Sequence, residues 1–152
     1  MKQESGRSLI EVIGVMAIAG IMTVSAVGVY NMIRQNQIRT IASTEIKQMA
    51  QDTKILMEAR GSYDGISVNY LIKAGALKSD KAPIGGDQWS IESAVDGTYF
   101  SINLVDLSEG ECEYFTSTPA NWISTMIVNG YDYDGGNNCF STNTNRISFI
   151  VK

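Results

Sequence analysis

Histidine is absent from this sequence, and cysteine, proline and charged residues are scarce. Its 152 residues include two cysteines, two prolines and 18% Asp, Glu, Lys and Arg. Without histidine, the commonest general base of enzyme active sites is missing, and no serine or cysteine stands beside another plausible base. We therefore expect a protein that is not an enzyme and that has no cofactor and no metal site.

The scarcity of proline leaves a long stretch of chain free to form one helix. No proline lies between Ser8 and Arg60. After Ile33, spacings of three and four separate the residues of one largely apolar stripe, which predicts an amphipathic helix: Ile38, Ile41, Ala42, Ile46, Met49, Thr53 and Leu56. We predict a single helix from about Ser8 to Arg60, roughly 80 Å long at ~1.5 Å per residue. Gly61 is its expected stop.

Charge is missing altogether from Val12–Ile33. This segment is apolar all round and, as a helix, long enough to cross a hydrocarbon core of ~30 Å. A secretory signal would have a shorter apolar core and a cleavage site after it, and neither is found here. The rest of the chain is too small a domain to need this segment for its own core. We expect lipid or other copies of the chain to bury it.

The remaining charge is distributed asymmetrically. Residues 1–81 contain 10 Lys/Arg and 7 Asp/Glu, whereas residues 82–152 contain 2 Lys/Arg and 9 Asp/Glu. The negative charge of the distal half argues against binding of nucleic acid by that half. The plain interpretation is a solvated surface, and the alternative is contact between the acidic part of one copy and the basic part of another.

The distal part is predicted to be α+β. Val68–Ala76 reads as a short helix ended by Gly75, and the segments Gln88–Val95 and Thr98–Leu107 read as strands joined at Asp96-Gly97. Pro119 could begin a helix that runs to Val128, because proline is tolerated at the first helical position. Asn129-Gly130 would end that helix, and a Gly/Asn/Asp-rich loop would lead to a last strand at 146–152.

The two cysteines leave two alternatives. In an exported domain Cys112 and Cys139 would form one disulfide, whereas in a cytosolic protein they would be free thiols. A disulfide closing a loop of this length would stabilise the fold by about 3–4 kcal/mol on the chain-entropy estimate.

The N-terminal run GRSLIEV resembles the class III signal of type IV pilins and type II secretion pseudopilins. A short polar leader ends at Gly6, Glu11 follows five residues later, and an apolar helix continues from it. The resemblance implies cleavage after Gly6 by a prepilin peptidase, usually with methylation of the new N-terminus, here Arg7. It also implies that Glu11 directs assembly. The chain departs from the family at Arg7, where most members have phenylalanine or another hydrophobic residue, and at Gly28, near which many have proline.

Electrostatics predicts a role for Glu11 in assembly independently of the family resemblance. A carboxylate at the centre of a bilayer costs ~2.5–3.5 kcal/mol on insertion scales, although near a helix end it can snorkel. In a bundle of such helices, the new α-amino group at Arg7 of one copy could neutralise Glu11 of its neighbour. Only one axial stagger between copies would then satisfy the charge. The alternative is that Glu11 marks the interfacial flank of an ordinary membrane anchor.

The resemblance extends to the plan of the whole chain. It implies a pilin fold of class α+β, in which a long N-terminal helix carries a small head with an antiparallel sheet. The expected parts are a leader at 1–6, a transmembrane and assembly helix at 7–33, its amphipathic continuation at 34–60 and the head at 61–152. Many pilins close their C-terminal region with one disulfide, which would join Cys112 to Cys139. The run from Cys112 through the predicted helix to Val128-Asn129-Gly130 looks closer to that of type IVb pilins.

A weaker signal lies in the run YDYDGGNN. Some pseudopilins bind calcium in a C-terminal loop, and Asp132, Asp134 and Asn137 could supply oxygen ligands. The spacing does not match an EF-hand loop, and such clusters are usually turns. We therefore expect a turn here rather than a metal site.

The function implied by the resemblance is that of a structural subunit of a type IV pilus, serving adhesion, motility or DNA uptake. Its expected partners are further copies in a filament, other pilins, a prepilin peptidase, the membrane before assembly, and an inner-membrane platform with a motor ATPase. The precursor would lie in a bacterial inner membrane with its head in the periplasm. The alternatives are a secretion pseudopilin and a membrane-anchored binding module that does not polymerise. The Lys and Arg side chains of the helix could also contact DNA if the filament served DNA uptake.

Overall fold

The computed structural model describes residues 2–117 and 119–152, and it describes no side chains for residues 2–9 and 19–25. The chain divides into two compact units. One ends at Ile38, and the other comprises Arg39–Lys152. The described part of the first unit is helical throughout, whereas the second contains the rest of that helix and a mixed α+β head.

Helix α1 runs from Lys2 to Glu58, which confirms the single long helix predicted from the absence of proline. It begins before the predicted Ser8 because the residues that precede Ser8 contain no proline, and an internal glycine costs only about 1 kcal/mol. The helix ends close to the predicted stop. Gly61 has a positive φ of 74°, and its N–H donates to the Met57 carbonyl at 3.1 Å.

Membrane insertion of this helix stays a prediction. Among the side chains that the structure describes, no helix is both long and apolar enough to cross a membrane. The transmembrane segment predicted at 7–33 includes residues 7–9 and 19–25, which lie outside the described side chains.

The head is built on one five-stranded antiparallel sheet. Its elements, in chain order, are α2 (Val68–Lys73), β1 (Ser90–Ser93), β2 (Phe100–Leu107), α3 (Glu109–Ser117), β3 (Thr125–Val128), β4 (Tyr131–Asp132) and β5 (Asn145–Val151). The strand order is β1-β2-β5-β3-β4, and every neighbouring pair is antiparallel. The C-terminal strand β5 therefore lies at the centre of the sheet.

The core forms between one stripe of α1 and one face of this sheet. Along β5, buried residues alternate with more exposed ones, as expected of a strand with one covered face. The α1 stripe contributes Ala42, Ile46, Met49, Ala50, Thr53 and Met57, and the central strands contribute Phe100, Ile102, Leu104, Met126, Val128, Ile147 and Phe149. The stripe predicted from sequence spacing is confirmed at Ala42, Ile46, Met49 and Thr53, whereas Ile38 and Ile41 are exposed.

The predicted hairpin at Asp96-Gly97 is confirmed, with Ser93 of β1 paired to Phe100 of β2. Gly97 has a positive φ of 69°, and an added Cβ would collide with the Ser62 hydroxyl. The Gly97 carbonyl accepts a hydrogen bond from the Tyr63 N–H at 3.0 Å. Glycine is therefore required here both by backbone conformation and by the close approach of another loop.

The helix predicted at 119–128 is wrong. Residues Thr125–Val128 form strand β3, and the helix of this region is α3, which ends before Pro119. Asn129 and Gly130 both have positive φ and connect β3 to β4 as a two-residue hairpin turn rather than ending a helix. The physical reason is that β-branched residues such as Thr125, Ile127 and Val128 pair with central strand β5, and this pairing outweighs the favourable placement of Pro119.

Candidate functional site

Exposed apolar side chains cover the described part of α1 between Ile10 and Ile33. Between Ile10 and Ile33 the large apolar side chains that the structure describes are 49% to 72% exposed: Ile10, Val12, Ile13, Val15, Met16, Ile18, Val27, Val29, Tyr30, Met32 and Ile33. Isolated exposed apolar residues are ordinary, but a continuous apolar surface marks a site of contact with a membrane or a protein. This part of α1 is therefore a candidate assembly surface.

Glu11 lies within that surface. It is the only charged residue between Ile10 and Ile33, and its side chain is exposed. Removal of such a carboxylate from water would require a partner charge. Gly6 and Arg7 are in the helical backbone of α1, but the Arg7 side chain lies outside the described residues, so the predicted processing site stays a prediction.

The C-terminal region is closed by a disulfide between Cys112 and Cys139, with an S–S distance of 2.02 Å and a Cα–Cα distance of 5.9 Å. Cys112 is fully buried on α3. The start of α3 is fixed by a capping box, because the Ser108 N–H donates to Glu111 Oε2 at 3.0 Å and the Glu111 N–H donates to Ser108 Oγ at 3.2 Å. The disulfide therefore fastens the 138–140 segment to a well-defined helix.

A pair of asparagines, Asn129 and Asn145, also holds this region, and no sequence pattern indicated their role. Asn129 Nδ2 donates to Asn145 Oδ1 at 2.9 Å and to the Asn138 carbonyl at 2.7 Å. Asn145 is completely buried. Its Nδ2 donates to three carbonyls, those of Leu107, Phe140 and Thr142, at 2.9 to 3.1 Å.

These bonds give the asparagine pair a structural role. Asn145 Oδ1 also accepts the Phe140 N–H at 2.6 Å, and Asn129 Oδ1 accepts the Arg146 N–H at 2.9 Å. The pair thus satisfies backbone groups of the 138–142 segment, which belongs to no strand, together with the buried Leu107 carbonyl. Asn-Gly is a dipeptide typical of hairpin turns, although Asn129-Gly130 was predicted to end a helix. Nothing in the sequence distinguishes Asn145 from its exposed neighbour Asn143.

The residues considered as calcium ligands make local turns. Asp134 Oδ1 accepts the Gly136 N–H at 2.9 Å, and Asn137 Oδ1 accepts the Cys139 N–H at 3.0 Å. Asp132 lies on β4 with an exposed side chain. Within residues 2–117 and 119–152, no group of three or more His, Cys, Asp or Glu is placed to hold a metal ion.

The backbone of this chain is similar to that of a solved pilin. No protein-family model matches the sequence, and no curated protein matches it either. Among solved structures, the crystal structure of TcpA, a type IV pilin from Vibrio cholerae El Tor biotype, matches with a TM-score of 0.59 at 14% sequence identity. The match covers 76% of this chain and 99% of the TcpA chain. The chain therefore has the fold of a type IV pilin.

Proposed function

We propose that this chain is a structural subunit of a type IV pilus. One observation carries the proposal: α1 exposes apolar side chains from Ile10 to Ile33, while its continuation is built into a head with the pilin fold. Burial of apolar surface stabilises an association by roughly 25 cal/mol per Å². Packing of this surface first against lipid and then against other copies would explain why it is apolar on all sides.

The proposed precursor lies in a bacterial inner membrane with its head in the periplasm. A prepilin peptidase cleaves it after Gly6, and Arg7 becomes the first residue of the mature chain. The mature subunits then pass to an inner-membrane assembly platform with a motor ATPase, which adds them to a filament of this and other pilins at the cell surface. The disulfide between Cys112 and Cys139 is consistent with a head exposed to an oxidising compartment.

Glu11 sets the register between copies in this proposal. As helices pack together, water leaves the surface around Glu11, and an unpaired carboxylate becomes costly. The α-amino group of Arg7 in a neighbouring copy supplies the compensating positive charge. Only an axial offset that brings these two groups together is then favoured, so the pair selects one helical arrangement of subunits.

The test is the substitution Glu11→Gln, which removes the charge and preserves the shape of the side chain. We expect loss of filaments, while the precursor still inserts in the membrane and is still cleaved. The matched control is Glu58→Gln, at an exposed position on the same helix, which should leave filament number unchanged. Electron microscopy of surface filaments and mass spectrometry of the membrane fraction provide the two measurements.

The outcomes separate the alternatives. Normal filaments from the Glu11→Gln chain would overturn the charge-register argument. A chain whose mass still begins at Met1 would instead support a membrane-anchored binding module that does not polymerise. Correctly processed chains that stay in the periplasm and never reach the surface would support a secretion pseudopilin.

A further inference from the structure

A groove lies on the outer face of the sheet, away from the apolar part of α1 in sequence. It has a volume of about 450 Å³, and its lining includes Ile127, Asn129, Phe140, Thr144, Arg146 and Ser148. This volume falls within the range of ~300–1,000 Å³ that is typical of small-molecule sites. The groove lies on the face of β3 and β5 opposite the core, because Ile127 and Ser148 alternate with buried residues of those strands.

The charge of the groove is opposite to that of its surroundings. Residues 82–152 contain nine Asp and Glu and only two cations, Arg146 and Lys152. Arg146 lines the groove, whereas none of the nine acidic residues does. The Arg146 guanidinium, in a lining without a carboxylate, favours a ligand with a carboxylate, which it can bind through two parallel hydrogen bonds.

The backbones of Phe140 and Arg146, the two main groove residues, are held by the asparagine pair, of which Asn145 is buried and Asn129 is half-buried. The Phe140 N–H and C=O are both bonded to the Asn145 carboxamide, yet the Phe140 side chain is 50% exposed. The Arg146 N–H donates to Asn129 Oδ1, and its C=O accepts the Asn129 N–H, both at 2.9 Å. Because the backbone is already fixed, only the two side chains would have to be ordered when a ligand binds.

The nature of the lining selects among anionic ligands. The backbone groups of β5 are paired with β2 and β3, and β3 is paired with β4, so an acidic peptide would find no open ladder in the floor of the groove. A nucleic-acid strand would meet a single cation, whereas its affinity depends on several phosphate contacts. A sugar ring instead suits an exposed aromatic face, whose negative potential attracts polarised C–H groups, and the hydroxyls of Thr144 and Ser148 can donate to or accept from sugar hydroxyls.

We infer that this groove binds an acidic saccharide, with the Arg146 guanidinium on the sugar carboxylate and the Phe140 ring beneath the sugar ring. The site belongs to the folded head and does not depend on assembly. Binding measured on single subunits can therefore fail without affecting the proposed role in a filament, and that role can fail without affecting binding.

The experiment uses the full chain in micelles of a detergent without a sugar headgroup, with binding followed by isothermal titration calorimetry. The probe is a hyaluronan tetrasaccharide, which carries glucuronate, and it is compared with neutral chitotetraose, a hexaglutamate peptide and a short DNA strand. We expect binding of the acidic tetrasaccharide, with an affinity at least tenfold higher than for the other three ligands.

Two variants and two matched controls test the assigned residues. Arg146→Gln and Phe140→Leu should each weaken binding of the acidic tetrasaccharide at least fivefold. Lys152→Gln removes the other cation of the region, and Tyr131→Leu removes an exposed aromatic ring on β4. Neither control residue lines the groove, and neither change should alter affinity. Circular dichroism and the thermal midpoint of each variant confirm that its head is folded.

Several results would overturn the inference. They are absence of binding by the acidic tetrasaccharide, equal binding of the neutral one, and tighter binding of the peptide or the DNA. An equal loss of affinity in the Lys152→Gln and Arg146→Gln chains would also overturn it, because attraction would then depend on overall charge and not on this groove.

Discussion

The side chains of Asn129 and Asn145 bond directly to each other in the head, with Asn129 Nδ2 donating to Asn145 Oδ1 at 2.9 Å. Asn129 forms the turn between β3 and β4, and Asn145 begins the central strand β5. The pair thus connects a hairpin turn to the middle of the sheet. Together with the disulfide it holds the 138–142 segment in place.

Removal of Asn145 should be costly for stability. We expect Asn145→Ala to lower the free energy of unfolding by more than about 2 kcal/mol, because a buried carboxamide that bonds to several backbone groups is removed, among them the buried Leu107 carbonyl. Asn143→Ala, at an exposed position two residues away, should change stability by less than about 0.5 kcal/mol. Calorimetric unfolding of the full chain in detergent measures both.

A double-mutant cycle isolates the asparagine pair. The effects of Asn129→Ala and Asn145→Ala should not add, since each change removes the same mutual bond, and the interaction energy should reach about 0.5–3 kcal/mol. Simple additivity would show that the two residues act independently and would contradict the paired role.

Thr53 offers a stabilising substitution. Its side chain is fully buried on α1, and its hydroxyl oxygen has no hydrogen-bond partner. We expect Thr53→Val to raise stability by about 1 kcal/mol, because the shape is kept and an unsatisfied polar group is removed. The control is Thr44→Val on the exposed face of the same helix, where the hydroxyl donates to the Thr40 carbonyl. If Thr53→Val destabilised the head, its hydroxyl would have to make a bond that this structure lacks.

The disulfide should account for a measurable share of the head's stability. Cys112 and Cys139 are separated by 27 positions in the sequence, and a loop of this length corresponds to about 3–4 kcal/mol on the chain-entropy estimate. We expect the double variant Cys112→Ala/Cys139→Ala to unfold at a lower temperature and to be insensitive to reductant, whereas reduction should destabilise the native chain. Equal thermal midpoints for oxidised and reduced native protein would contradict this expectation.

Asp96, in the turn that precedes β2, should make the stability of the head depend on pH in the acid range. The Thr98 hydroxyl and backbone N–H donate to Asp96 Oδ1 at 2.8 and 3.2 Å, and these bonds lower the pKa of Asp96 below its ordinary 3.8, the hydroxyl having the largest effect. Since the folded-state pKa is below the unfolded one, the stabilising contribution is present above pH 3.8 and is lost as the pH falls through the folded value.

The variant Thr98→Val tests that assignment. It removes the hydroxyl and keeps the backbone N–H, so the pKa of Asp96 should rise part of the way to its ordinary value. Titration of the Asp96 carboxyl by NMR measures the change. Thr125→Val, at an exposed position on β3, should leave the pKa of Asp96 unaltered, and an equal shift in both variants would contradict the assigned cause.

Local rules explain what could be predicted for the head. The strands of the first hairpin and the last strand alternate apolar and polar residues, and their observed bounds lie within a few residues of the predicted ones. The segment Thr125–Val128 was misassigned because a proline a few residues earlier favours a helix start, whereas pairing with β5 decides its structure. That partner lies well beyond it in sequence, and no local pattern identifies it.

By itself, the sequence determined the long helix, the apolar segment around Glu11 and the α+β class, whereas it left open whether the two cysteines pair. These follow from the absence of proline, from charge distribution and from short periodic patterns, all of which act over neighbouring residues. Only the tertiary structure decided the central position of β5, the bond between Asn129 and Asn145, and the placing of Phe140 and Arg146 at one groove. These depend on contacts between segments that are distant in sequence, because chain topology and packing alone bring such residues together.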